Sequence, residues 1–434
     1  MRLSTPPFAP ADTDVTAVDF LASTYYTEGD PHALWTHLRA HDPVHHFTPS
    51  DGREPFWVVT RHADVSRVLK DHSVFSSRRG TMLCIIDLSM PDIASDQMMP
   101  DTDPPRHGQL RDPLNRVMTP RAVAAQEETI RGIVREMLEP ALDGEVFDLA
   151  QAALMFPMAF TGSMMGLPRE TWDRMSRLTT MTIAYDDPEY MEKAPKPTLR
   201  QAHHELFSFF SDEIARRDRT DPGDDLIGIL LRMSLEGEPL TERQIMLNCY
   251  SLLLGANVTT PHVVSTTALT MAEHPDQFRA LQEDPGLRGT AMEELLRWSS
   301  PASHFMRYAT ADVELGGRTI REGEPVSVWL GSANRDERVF KDPFSFDITR
   351  RPNRHIAFGV GPHYCIGSGL ARIALRVFLD EFAERVASVE LAGEPVHLAS
   401  NFVAGFKHLP VRLTPRAGKA PARPLAAAGT GAVA

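Results

Sequence analysis

Apolar side chains recur at intervals of ~3.6 along most of the chain, over residues 123–142, 171–183, 201–217, 241–272 and 370–386. That spacing predicts a mainly helical protein. Shorter runs rich in β-branched and aromatic residues lie at 56–60, at 313–315 ahead of the Gly316-Gly317 pair, at 325–330 and at 397–402. They predict small β-sheets attached to the helical body. Thr241 with Gln244 makes a capping box at the start of the longest helical stretch, and Pro261 within it predicts a kink or an opened turn. No period of repeat length is present, and the 34 prolines are scattered, so a solenoid is disfavoured.

Two stretches break the pattern. Residues 84–105 mix acids, methionines, the pair Ile85-Ile86 and four prolines without a clean period, which reads as a long irregular loop over a binding site. Residues 415–434 are Ala, Gly and Pro with few large apolar side chains and are expected to be a disordered tail. Residues 1–13 are expected to be flexible, and their prolines and acids interrupt any secretory core. No run reaches the ~18 apolar residues of a membrane span.

Composition narrows the classes of function. The 434 residues carry 45 Lys+Arg against 58 Asp+Glu, an acidic balance that disfavours nucleic acid as a partner. Three cysteines, Cys84, Cys249 and Cys365, are odd in number and far apart, which fits neither a disulfide framework nor paired metal knuckles. A cytoplasmic protein is expected.

Chemistry concentrates in Phe358-Gly359-Val360-Gly361-Pro362-His363-Tyr364-Cys365-Ile366-Gly367, which precedes a helical pattern. Unpaired amides and the positive end of a helix dipole lower the pKa of a thiol there, making Cys365 a metal ligand or a nucleophile. Gly359 and Gly361 allow a tight loop, and Gly367 clears space for something flat against the backbone. A buried, inert cysteine is the commoner use of this residue. A dinucleotide fingerprint fails, because Tyr364 stands where its third glycine belongs. A nucleophile partnered by a distant histidine stays open.

The pattern Phe358-Gly359-x-Gly361-x-His363-x-Cys365-x-Gly367 resembles the haem-binding loop of the cytochrome P450 family. The resemblance extends over about residues 14–414 and implies that family's single-domain, mainly α fold with haem b (iron protoporphyrin IX) as cofactor. It implies Cys365 as the axial iron ligand, with Phe358, Gly359 and Gly367 around it. Glu294 and Arg297, three apart on one helix, resemble with Arg350 a structural triad, although such spacing alone usually marks a surface pair. His107, Arg111, Arg307 and His363 match positions that bind the haem propionates.

In the helix 241–272 the resemblance places Gly255, Ala256 and Thr259 in register but Val258 where the family carries an acid. Thr259, Asn257 or a polar group of the substrate are therefore the candidates for holding a water that relays protons. The expected substrate wall combines Met82, Leu83, Ile85, Ile86, Met98 and Met99 from the long loop with Leu254, Gly255 and Val258, joined by Ala302, Ser303, His304, Phe402 and Val403. Such a wall suits an apolar small molecule with a few polar handles, and the resemblance points to a natural-product intermediate. The implied reaction is hydroxylation or epoxidation by activated dioxygen. The missing acid keeps oxidative coupling, desaturation and peroxide-driven oxidation open, and a haem carrier would require an appended module that is not seen. A ferredoxin or flavodoxin, with its reductase, is the expected electron donor, docking on Arg111, Arg116, Arg351, Arg354 and Arg372.

Overall fold

The computed structural model describes residues 14–83, 88 and 92–416. Helices dominate, and each buries the stripe that its periodicity presents. Helix Glu127–Leu138 buries Ile130, Val134 and Leu138, four residues apart, against helix Ser368–Arg385. The expected single helix over 123–142 is instead two helices, Pro120–Ala124 and Glu127–Leu138, followed by a 3-10 turn over Glu139–Asp143. The amide of Gln126 bonds the Val123 carbonyl and tightens the first junction, while Pro140 cannot donate to continue the second. Helix Pro195–Ala215 begins six residues before the expected 201, because prolines are compatible with a first turn.

The long central stretch is two helices, Glu242–Asn257 and Thr260–Glu273, with the capping box of Thr241 and Gln244 formed. The helical ladder breaks at Val258 and Thr259, as Pro261 requires: proline has no amide proton for the Asn257 carbonyl. The Thr259 hydroxyl donates instead to the Gly255 carbonyl at 3.0 Å. This opened turn lines a cavity.

A five-stranded sheet runs in the order Val44–Phe47, Phe56–Val59, Pro325–Trp329, His304–Ala309 and Phe75–Ser76. Its pairs are antiparallel except Phe56–Val59 with Pro325–Trp329. Val313–Leu315 and Arg318–Ile320 form the hairpin expected around Gly316-Gly317. The expected strand over 397–402 does not form: only Val396–His397 pairs, with Phe406–His408, and Val403 makes a lone bridge to Ala302. The Leu398 amide bonds the Gly405 carbonyl, but later amides go to side chains, Ala399 to Asp187 and both Phe402 and Val403 to the Ser400 hydroxyl.

The last strand, Pro410–Pro415, runs one residue into the expected tail, and the Arg416 amide bonds the Arg385 carbonyl. The rest of that tail and residues 1–13 lie outside the described residues. Among the described residues no helix is long and apolar enough to cross a membrane.

Candidate functional site

The cysteine loop is held by its own backbone before the helix Ser368–Arg385 begins. The amides of Gly359, Tyr364 and Cys365 donate to the carbonyls of Ile356, Gly361 and Phe358 at 2.8, 3.0 and 2.9 Å. Gly361 has φ +86°, and a Cβ there would lie 2.6 Å from the Leu69 carbonyl oxygen, so no other residue fits. Cys365 lies three residues ahead of the first helical residue, not in the first turn. Burial pushes its thiol up and outweighs the Gly367 amide and the charges of Arg111 and Arg372, so the expectation of a spontaneously acidic thiol is corrected.

Charged side chains brace the loop from beneath. Arg372 donates to Glu293 Oε1 at 2.6 Å and to the Tyr364 hydroxyl at 2.9 Å, and lies over the Phe358 ring at 4.6 Å. His355 Nε2 meets the other Glu293 oxygen at 2.7 Å. Arg297 grips Glu294 through two bonds of 2.7 and 2.8 Å, and Arg350 Nε reaches both Glu294 oxygens at 3.1 Å. The Glu294 and Arg297 side chains are 0% exposed, which overturns the surface-pair reading of their spacing.

Above the sulfur lies a cavity of about 300 Å³. Cys365, Phe358, Gly359 and Gly367 line one side, with His107, Arg111, Arg307 and His363 at the edge. The His107 and His363 rings are 4.2 Å apart between centroids. Burial and the neighbouring arginines push them down to about 4 and about 2, so both are neutral at pH 7. Ser77, itself bonded to Asp103, touches His363 Nε2 at 3.2 Å. His107 Nε2 is buried with no hydrogen-bond partner among the described residues. Arg307 is buried, its pKa lowered to about 10 by desolvation, and forms no ion pair among the described residues. Arg111 donates to the Tyr364 carbonyl at 2.5 Å.

Leu254, Gly255, Val258 and Thr259 line the opposite side, with Met82, Met98, Met99, Ala302 and Phe402. Other expected residues do not. Asn257 turns away: its amide nitrogen donates to Met158 Sδ at 3.2 Å, which corrects its assignment to the proton relay. His304 is buried against Trp329 and Phe402, its Nε2 accepting from the Leu83 amide at 3.1 Å. Leu83 packs in the same cluster as Trp329, Ser303 uses its backbone to bridge Phe402 and Leu330, and Val403 is fully buried. Strand alternation is the reason: Phe305 and Arg307 face the cavity, so His304 and Met306 face the other way. Ile85 and Ile86 lie outside the described residues.

A model of the family described as Cytochrome P450 matches residues 289–385. Over 403 residues the chain is 34% identical to cytochrome P450 NovI of Streptomyces niveus, covering 93% of this chain and 98% of that protein. This chain belongs to the cytochrome P450 family. Linalool 8-monooxygenase of Pseudomonas putida is 33% identical, covering 90% of this chain and 97% of that protein. The crystal structure of P450 OxyD, involved in the biosynthesis of vancomycin-type antibiotics, superposes with a TM-score of 0.83 at 37% identity. That match covers 92% of this chain and 100% of OxyD.

As a cytochrome P450 the protein is an oxidoreductase of the monooxygenase family, and its cofactor is haem b. The residues present fit that group: a half-buried thiol facing the cavity, a buried guanidinium that forms no ion pair among the described residues, and a buried imidazole nitrogen with no hydrogen-bond partner among them. Among the described residues no cluster of three or more His, Cys, Asp or Glu could hold a metal ion. Sequence reasoning missed Glu293, His355 and Tyr364, which meet only in space, and Phe305, which strand alternation would have found. It also missed Phe160, Thr161 and Tyr250 in the cavity wall. Of the expected docking arginines, Arg116, Arg351 and Arg354 are exposed, whereas Arg111 and Arg372 are engaged inward.

Proposed function

We propose that this cytochrome P450 inserts one oxygen atom of dioxygen into a C–H bond or a double bond of an apolar small molecule, a natural-product intermediate. The observation that carries this reading is one cavity lined by the Cys365 thiol and, away from it, by a mainly apolar wall. Haem, when bound, supplies the redox centre at which dioxygen is activated, and a thiolate ligand favours cleavage of the O–O bond. Cys365 would hold the iron. Arg307, Arg111, His107 and His363 would hold the propionates, Arg307 by charge and the neutral imidazoles by N–H donation. Phe358, Gly359 and Gly367 would leave room for the flat ring.

On the substrate side, Leu254, Val258, Phe305, Phe402, Met82, Met98 and Met99 would desolvate the ligand and orient it by shape. The Thr259 hydroxyl already donates to a backbone carbonyl, so its oxygen is directed to accept a bond from a water and steady it. Val258 is apolar and 2% exposed, so the protons would come through that water or through a polar group of the substrate. That observation also supports a second reading, in which the same site couples, desaturates or uses peroxide. Incorporation of labelled dioxygen into the product separates the two.

Electrons would come from a ferredoxin or flavodoxin and its reductase, docking on the exposed Arg116, Arg351 and Arg354. OxyD, involved in the biosynthesis of vancomycin-type antibiotics, supports a natural product as substrate, and the linalool enzyme supports an apolar one. A panel of such compounds should shift the spin state of the haem spectrum when one binds and be oxidised with a surrogate reductase. Cys365→Ser should abolish the red-shifted Soret band of the ferrous carbonyl complex. A variant that kept that band would remove Cys365 as the iron ligand.

A further inference from the structure

The central helix carries a buried asparagine that nothing in the proposed chemistry uses. Asn248 is 1% exposed in the middle of Glu242–Asn257, where its helix propensity is poor and an unbonded amide would be costly. Both ends of that amide are engaged. Oδ1 accepts the Met99 amide at 2.9 Å, and Nδ2 donates to the Gln97 carbonyl at 2.9 Å and to the Gln244 carbonyl at 2.7 Å. The contacts on Gln97 and Met99, two residues apart, imitate those of a neighbouring β-strand.

The segment thus held is already closed on itself. The Asp96 amide bonds the Asp101 carbonyl, the Met98 amide bonds Ala94, and the Thr102 hydroxyl bonds Met98. Arg243 adds a tie to the Ile93 carbonyl at 2.8 Å. The loop is therefore a preformed unit fastened to the central helix through its backbone, whatever its side chains. Met98 and Met99, which it carries into the cavity wall, keep flexible side chains on an anchored main chain.

We propose that Asn248 is a positioning residue that latches the methionine wall against the central helix and thereby sets the affinity for bulky ligands. This rests on the reading of the cavity as the substrate site. In haem-loaded protein, Asn248→Leu should speed hydrogen exchange at the Met99 amide about tenfold or more, as expected for losing a pair of buried hydrogen bonds. It should weaken 4-phenylimidazole about 5- to 30-fold, read from the Soret shift, while leaving imidazole, which fills little of the cavity, within about twofold. Asn248→Asp keeps the acceptor for Met99 and guards against a leucine variant that does not fold. It should loosen the loop less.

Native-like exchange at Met99 in both variants overturns the latch, as does equal weakening of the two azoles. Should neither azole shift the Soret band of the native protein, the haem reading fails, and the exchange rates alone decide the latch.

Discussion

The two sides of the cavity solve opposite problems with opposite chemistry. Beneath the cysteine, Glu293 and Glu294 each meet at least two cationic or ring N–H donors, and Arg297 reaches on to the carbonyls of Asn334 and Pro343. In the methionine loop, the buried carboxyl of Asp101 accepts one hydroxyl, from Thr81, and forms no ion pair among the described residues. The acids report the difference. Burial works against the charge of Glu293, but hydrogen bonds from His355 and Arg372 bring it from 4.5 down to about 2. Burial drives Asp101 from 3.8 up to about 7, the charge of Asp92 adding to the push while Thr81 and Arg307 oppose it. A side that must hold one sulfur in one place uses many directional bonds. The side that carries the methionines uses soft apolar groups and a few anchors.

Removing a buried cation from the rigid side should have the largest effect. Arg297→Ala takes one of two cations from the buried Glu294, leaving Arg350, and removes the donor to the Asn334 and Pro343 carbonyls; it should destabilise the protein by about 3–5 kcal/mol and release haem, read by urea unfolding and the ferrous carbonyl band. A loss under about 1 kcal/mol would show that the network is ornamental to stability.

Next comes the acid of the loop, where the sign reverses. The stability associated with Asp101 is present below its ordinary 3.8 and lost as pH rises through about 7. Asp101→Asn keeps an acceptor for Thr81, and should therefore stabilise the protein at pH 8 by about 2–4 kcal/mol and do little near pH 4. A destabilised variant at pH 8 would place a cation beside this carboxylate.

Glu293 should behave in the opposite sense. Its contribution is present above 4.5 and lost as pH falls towards about 2. Glu293→Gln should weaken the protein at pH 7 by about 1–2 kcal/mol, a figure reduced for its partial exposure, with the deficit shrinking in acid. An equal deficit at every pH would mean that shape, not charge, matters there.

The smallest change in stability belongs to the wall. Met98→Leu conserves volume and should alter stability by less than about 1.5 kcal/mol, while changing the ranking of ligands in a spin-shift panel. An unchanged ranking would remove Met98 from the substrate contacts.

Much of the site was legible because its signals are local. The cysteine loop, the capping box at Thr241 and the break before Pro261 depend on residues within a few positions of one another. Where expectation and structure part, periodicity was sometimes available and unused. Arg307 lines the cavity, and alternation along its strand puts Phe305 on the same face and turns His304 away from it. The acidic thiol expected at Cys365 failed for another reason: the helix end and two arginines are present, yet desolvation outweighs them.

Backbone geometry and nearest-neighbour hydrogen bonding act over a turn or a loop, so the chain's order of residues was enough to place the thiol, its glycines and the opened helix. Partnerships across the fold were not readable in that way. Glu293 finds His355 and Arg372, and Asn248 finds Gln97 and Met99, only after distant segments pack. Which acids are held charged, which are driven neutral and which side chains face the cavity follow from burial and from neighbours far away in sequence, and both come into being only with the tertiary structure.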